Sequence, residues 1–384
     1  MNTHRDRTWM EVSLDVIADN YEQISLEIGS DCNLMAVLKG NAYGLGAVRI
    51  AQLLEELGCP MLSVASWEEA MELRDAKVKT PILLLSPVPA HYAEKAVQEN
   101  IELVVVSAEQ AIALDSAARQ KDIRVKVHLK VDVGLTRFGI VVSDNMTAAV
   151  TEAASIMNLP NLEVVAVMTH YTALDVPLGE EFNLAQIDLF NSFCAFLRAK
   201  GLSFKVHSAS TMFTSLYPRC FGDYVRTAAL VLGLAEPLSR GIVTKPSAAL
   251  RSTILQIKEV PLGTPVSYGP NYYTVRHTRL AVVPLGFGDG LRRDITNRTS
   301  LMVHGKMAPM IGKMTMDYTM IDITDIPEAK EGDIVTLFGS DGELERTAWD
   351  FAHIYPATVS EATSVISSRI PRVYIRHGKV EESE

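Results

Sequence analysis

The apolar positions of this chain fall into two regimes. From residue 8 to about 235 the short runs "LMAVLK", "MLSVAS", "PILLLS", "IELVVVS", "IRVKVHLKV", "LEVVAVMTHY", "SFKVHSAS" and "TAALVLGL" alternate with longer amphipathic stretches. Continuous β-rich runs separated by helical patterns predict parallel strands covered by helices. "AVRIAQLLEELG" carries apolar residues at helical spacing and ends on glycine. "SWEEAMELRDA" opens with Ser66 and has Glu69 three residues on, which predicts a capping box. About eight such units in ~230 residues suit a closed (β/α)8 barrel. An open doubly wound sheet fits less well, because no G-x-G-x-x-G turn follows the first run.

After about residue 240 the rhythm changes. "AALRSTILQIKEVP", "RLAVVPLGFGDG", "SLMVHGKMAPMIGKMTMDYTMIDITD" and "GDIVTLFG" read as strands between turns, with little helix until "TAWDFAHIY". The expected division is a barrel over 1–238 and a mostly β domain over 239–384, with a frayed charged tail "RHGKVEESE".

Composition narrows the function. The 384 residues are 48% hydrophobic and 21% charged, with a formal net charge of -10. That balance speaks against nucleic acid or an anionic membrane surface as partner. No apolar run approaches the ~20 residues of a membrane span. The opening "MNTHRDRTWMEVSLD" lacks a signal-peptide core, so a cytoplasmic protein is expected. Cys32, Cys59, Cys194 and Cys220 are scattered, which predicts reduced, buried thiols. There is no H-E-x-x-H and no paired histidines at ligand spacing, so no metal site is expected.

In a (β/α)8 barrel, working residues sit at the C-terminal ends of strands. Lys39, Lys130 with Asp132, Arg137, His170, the Ser208–Thr211 run and Arg226 occupy such positions. Each alone has a plain structural explanation, as a solvated strand end, a hydrogen-bonded histidine or a self-capping turn. Together they form a set. A lysine kept from water has a depressed pKa and can form a Schiff base. Hydroxyls at helix starts suit a phosphate, and an arginine suits a ring nitrogen or a carboxylate. Lysine, phosphate cradle and ring partner are what pyridoxal phosphate requires.

"MAVLKGNAYGLG", residues 35 to 46, resembles the cofactor-lysine signature of the alanine racemases. The likeness runs from "TWMEVSLDVIADNY" to "SSRIPRVY". It implies a barrel followed by a β domain, homodimers with shared active sites, and pyridoxal 5'-phosphate used to interconvert L- and D-alanine for peptidoglycan. On this resemblance Lys39 is the Schiff-base lysine and one base, and Tyr43 contacts the phosphate. "HLKVDVGLTRFG" implies that Arg137 binds the substrate carboxylate, with Lys130 at a position often carbamylated. "MTHY" supplies His170 as partner of Arg226, which faces the ring nitrogen. "PVSYG" supplies Tyr268, the opposing base, acting in the partner subunit's site. Arg137 and His170 are the positive neighbours expected to lower the pKa of that tyrosine. "GKMTMD" supplies Met316 and Asp317, which line the partner's site too.

The chain departs from the family at several positions. Phe287 and Ser360 stand where tyrosines are usual, Thr211 where the phosphate-binding serine is, and Ser210 where an asparagine is. Ala228 and Ala229 replace a Gly-Ile pair near the phosphate, and Lys313 replaces an arginine. A pocket that has lost tyrosines implies tolerance for side chains larger than methyl, serine first. A decarboxylase sharing the cofactor and a non-catalytic cofactor binder remain as alternatives.

Overall fold

The computed structural model describes residues 7–381 apart from 143–144, 173–178, 236–240, 270 and 355–356. Eight strands close a parallel barrel: Asn33–Val37, Met61–Val64, Ile82–Leu84, Ile101–Val105, Val125–Asp132, Leu162–Met168, Lys205–His207 and Tyr224–Thr227. Each pairs in parallel with its neighbour, and Tyr224–Thr227 returns to Asn33–Val37 to shut the ring. Alternation along the strands separates two cores. Leu34 and Ala36 join the large core under the helices, while Met35, Met61, Leu83, Val104, Met168 and Tyr224 cluster separately, inside the barrel.

The helices start where the sequence places caps. Ser13, Ser66, Ser107 and Asn145 each accept a backbone N–H of the first turn, and Ser66 with Glu69 completes the capping box. The last strand differs from expectation. It is Tyr224–Thr227, and "TAALVLGL" continues as a buried turn in which Leu232 N donates to Ala228 O and Leu234 N to Ala229 O. A buried apolar run of that length does not distinguish strand from turn by composition.

The second domain holds two sheets. One runs Lys306–Pro309, Ser300–Val303, Ile334–Asp341, Ala248–Thr253, Thr8–Ser13, Arg372–Arg376 and Lys379–Val380. The other comprises Gln256–Val260, Thr278–Val283 and Thr319–Asp322. The barrel therefore does not begin at residue 1. Thr8–Ser13 pairs antiparallel with Ala248–Thr253, and only at Ser13 does the chain cross into the first barrel helix, Leu14–Ile28. The other expected boundary, 238/239, lies outside the described residues. The tail is also not frayed up to Glu381. Arg372–Arg376 is a central strand, and Glu381 pairs with Arg49 at 2.7 Å.

The second domain presses on the barrel at the Lys39 turn. Arg372 Nε donates to Gly44 O at 2.9 Å, and a Cβ on Gly44 would lie 2.2 Å from Thr363 O. A Cβ on Gly46 would meet the Tyr374 hydroxyl. Both glycines also have positive φ, 88° and 99°, so this close approach requires them.

Candidate active site

Lys39 follows its strand by two residues and opens a turn unusual for L-residues. Gly40, Asn41, Ala42 and Tyr43 have φ of 63°, 54°, 52° and 55°. Each non-glycine residue there costs about 1–2 kcal/mol. The turn is held from outside. Asn41 Oδ1 accepts from Ala47 N at 2.7 Å, and Glu69 Oε1 accepts from Gly40 N at 2.6 Å. The result aims Lys39 and Tyr43 into one cavity at the C-terminal end of the barrel, with the Lys39 amine 5.9 Å from the Tyr43 ring centre.

That cavity measures about 770 Å³. It gathers Lys39, Tyr43, Lys130, Arg137, His170, Thr211, Arg226, Ala228 and Ser360 from residues far apart in sequence. Ser210, Met212, Phe138 and Thr358 are among the other residues of its wall. Thr358 caps the short helix Val359–Ser364, which brings Ser360 from the second domain to the barrel mouth. Ala229 does not line the cavity; it sits in the turn behind Ala228.

The electrostatics are dominated by cations in a partly dry space. Burial, then Arg137, lowers the Lys39 pKa from its usual value, against the pull of Glu69. Burial, then Arg137 and Arg226, lowers Lys130 to about 8, opposed by Asp132. Lys130 has no ion-pair partner among the described residues, and its amine lies 5.7 Å from the Phe138 ring centre. Asp132 instead holds the loop that carries Arg137. Its Oδ1 accepts from Gly134 N and Thr136 N, and its Oδ2 from Arg137 N at 2.9 Å. Burial, reinforced by Arg226, Arg137, Lys130 and Lys39, drives His170 down to about 3. Arg226 is buried at the cavity floor and, lowered by burial to about 10, keeps its charge.

The descriptions of two family models fit this arrangement. "Alanine racemase, N-terminal domain" matches residues 12–235, and "Alanine racemase, C-terminal domain" matches 247–374. The chain belongs to the alanine racemase family. An alanine racemase of Desulfosudis oleivorans is 35% identical over 375 residues, covering 95% of this chain and 96% of the relative. The alanine racemase structure from Clostridium difficile 630 superposes with a TM-score of 0.91 at 28% identity, covering 98% of both chains. An alanine racemase from Bartonella henselae, 23% identical, has the same fold with a TM-score of 0.84 over 96% of this chain and 99% of that one; it was solved with covalently bound pyridoxal phosphate.

Two of the roles implied by the alanine racemase resemblance are altered by the geometry. The hydrogen-bonded partner of Arg226 is His207, not His170. Arg226 Nη1 lies 2.6 Å from His207 Nδ1 and Nη2 donates to Thr169 O at 2.7 Å. His170 lines the cavity beside it without a hydrogen bond to that arginine. Burial, then the surrounding cations, also pushes the His170 pKa down, which disfavours the charged form expected of it beside a tyrosine.

The resemblance-derived positions of the second domain divide in two. Ser360 reaches the cavity of its own chain; Tyr268, Phe287, Met316 and Asp317 do not. Tyr268 is 73% exposed and lines a separate hollow with Tyr318, Leu280 and Met320. Its loop is fixed by Ser267, whose hydroxyl donates to Lys313 O at 2.6 Å. Phe287 is half-buried under the Arg293 guanidinium, 5.4 Å from the ring centre. Gly288 N donates to Met316 O, so Phe287 and Met316 share one face, and Arg369 holds Asp317 at 2.9 Å on it. His207 and the second role of Glu69, at the Lys39 turn, escaped the sequence reading. Both left a signal: a histidine closing the run "FKVH", and a capping-box glutamate with a second oxygen to spend.

Proposed function

We propose that this chain interconverts L- and D-alanine with pyridoxal 5'-phosphate held on Lys39, in the cytoplasm, supplying D-alanine for peptidoglycan. The observation that carries it is the convergence of Lys39 and Arg226 in one cavity. The donor set fits the cofactor: an amine of lowered pKa, a buried guanidinium at the floor, and the hydroxyls of Tyr43, Ser210, Thr211 and Ser360 around one wall. The volume lies within the roughly 300–1,000 Å³ of small-molecule sites.

Bound there, the cofactor supplies an electron sink that acidifies the Cα–H of the amino acid. The residues of the chain do the rest. Arg226 retains its proton, so towards a ring nitrogen it would act as a hydrogen-bond donor and not as an acid. Arg137, on the loop clamped by Asp132, presents a guanidinium for the substrate carboxylate. Lys39 Nζ takes or returns the Cα proton on one face. Racemisation needs a second base on the other face. Among the described residues no tyrosine of the second domain lines the cavity, and the family resemblance points to the partner's Tyr268 for that role. The exposure of Tyr268, Met316 and Tyr318, at 73%, 56% and 45%, supports a homodimer contact over this apolar face.

Ser360 supports a second, broader reading, in which serine is also racemised. It lines the cavity where the family carries tyrosine, and its side chain is smaller by a phenol ring. L-alanine incubated with the cofactor-loaded protein should run to equal amounts of the two enantiomers, resolved chromatographically. Absence of any D-product would defeat the proposal.

A further inference from the structure

Arg226 is one end of a hydrogen-bonded column that passes down the inside of the barrel. His207 Nε2 lies 2.7 Å from His128 Nδ1, and His128 Nε2 lies 2.7 Å from Glu102 Oε2. Glu102, His128, His207 and Arg226 are all at most 4% exposed. The four come from four strands, at positions in phase with the inner cluster Val104, Met168 and Tyr224. Glu102 sits next to the start of its strand, at the floor of the barrel, and Lys126 Nζ approaches its other oxygen to 3.8 Å from a half-exposed position.

The ends of this column determine its middle. A guanidinium has only donors, so His207 Nδ1 must accept from Arg226 Nη1. The proton of neutral His207 is then on Nε2, and His128 Nδ1 must accept it. The proton of His128 is therefore on Nε2, where the carboxylate of Glu102 accepts it. A doubly protonated His128 would set two donors against each other at 2.7 Å. One assignment satisfies every contact, with both imidazoles neutral and protonated on Nε2.

Such a column has no packing rationale. Barrel interiors are ordinarily filled by branched apolar side chains, and replacing a buried charged network by apolar groups is often neutral or stabilising. Each bond in the chain also polarises the next. We propose that Glu102, acting through His128 and His207, is a positioning residue for Arg226, which it holds in place at the cavity floor. This rests on the proposed function for the role of Arg226, but the proton assignment stands without it.

The test uses the cofactor-loaded protein labelled with 15N-histidine. His128 and His207 should both show a protonated Nε2 and a bare Nδ1 across the neutral range. A protonated Nδ1 on His207 overturns the proposal, whether or not the protein racemises alanine. Conversely, correct tautomers without D-alanine would fault only the function. In Glu102→Leu the Nε2–H of His128 loses its acceptor. Its kcat should fall about 10- to 100-fold, the usual cost of an outer-shell partner, with KM changed far less. Glu102→Gln keeps an accepting oxygen and should retain kcat within a few-fold and both tautomers. An E102L enzyme with native kcat and native tautomers would refute the role. If E102L does not fold, the native tautomers and E102Q decide: a tautomer change in E102Q without loss of kcat refutes it equally.

Discussion

The carboxylate of Glu69 serves two elements at once. Oε2 accepts from Ala65 N and Ser66 N at 2.7 and 3.2 Å to cap its helix, while Oε1 accepts from Gly40 N at 2.6 Å to hold the left-handed Lys39 turn. Glu69 also favours the charged form of Lys39, against burial and Arg137. In Glu69→Gln the Lys39 pKa should therefore fall further. Uptake of pyridoxal phosphate by the cofactor-free chain needs the neutral amine, so its pH midpoint should move to lower pH. An unmoved or raised midpoint would show that Glu69 does not act on Lys39.

The cation cluster around His170 predicts an acid-side instability of the cofactor-free protein. Burial, then Arg226, Arg137, Lys130 and Lys39, lowers the folded pKa to about 3 from 6.5. A depressed folded pKa means that the folded state binds fewer protons than the unfolded chain. Its contribution is fully present above about pH 6.5 and is lost as pH falls towards 3. His170→Gln should flatten the fall in Tm over that window. Parallel curves for the two proteins would contradict the placement.

Lys130 titrates near 8 and faces Arg137 and Arg226 without a carboxylate partner among the described residues. A carbamate on its amine would replace a third cation by an anion between them. 13C-labelled bicarbonate should give a carbamate resonance that Lys130→Ala lacks. No resonance in the native protein would leave Lys130 a plain amine.

Much of the site was legible in the sequence because barrels put chemistry at strand ends. The run "LMAVLK" placed Lys39, and "HLKVD" placed Lys130 and Asp132, without any structure. His207 was hidden because its role depends on Arg226, a neighbour in space but 19 residues away. Glu102 was hidden because one glutamate in "IELVVVS" reads as a strand edge, and only closure of the barrel turns it inward. Glu381 looked like part of a loose tail because the partner that orders it, Arg49, lies on a barrel helix 332 residues away.

Ser360 lines the cavity where the family carries a tyrosine. One lost aromatic contact is worth about 1–3 kcal/mol of discrimination, or roughly 10- to 200-fold. Ser360→Tyr should raise the ratio of kcat/KM for alanine over serine towards that range. An unchanged ratio would place specificity elsewhere.

The central claim is that Lys39 of one protomer works with Tyr268 of the other, and mixed dimers test it most directly. Lys39→Ala and Tyr268→Phe should each be nearly inactive as homodimers. Unfolded together and refolded as a mixture, they should form heterodimers with one intact site, restoring about a quarter of the native activity for statistical pairing. A mixture as inactive as its components would contradict the shared site and return both bases to a single chain.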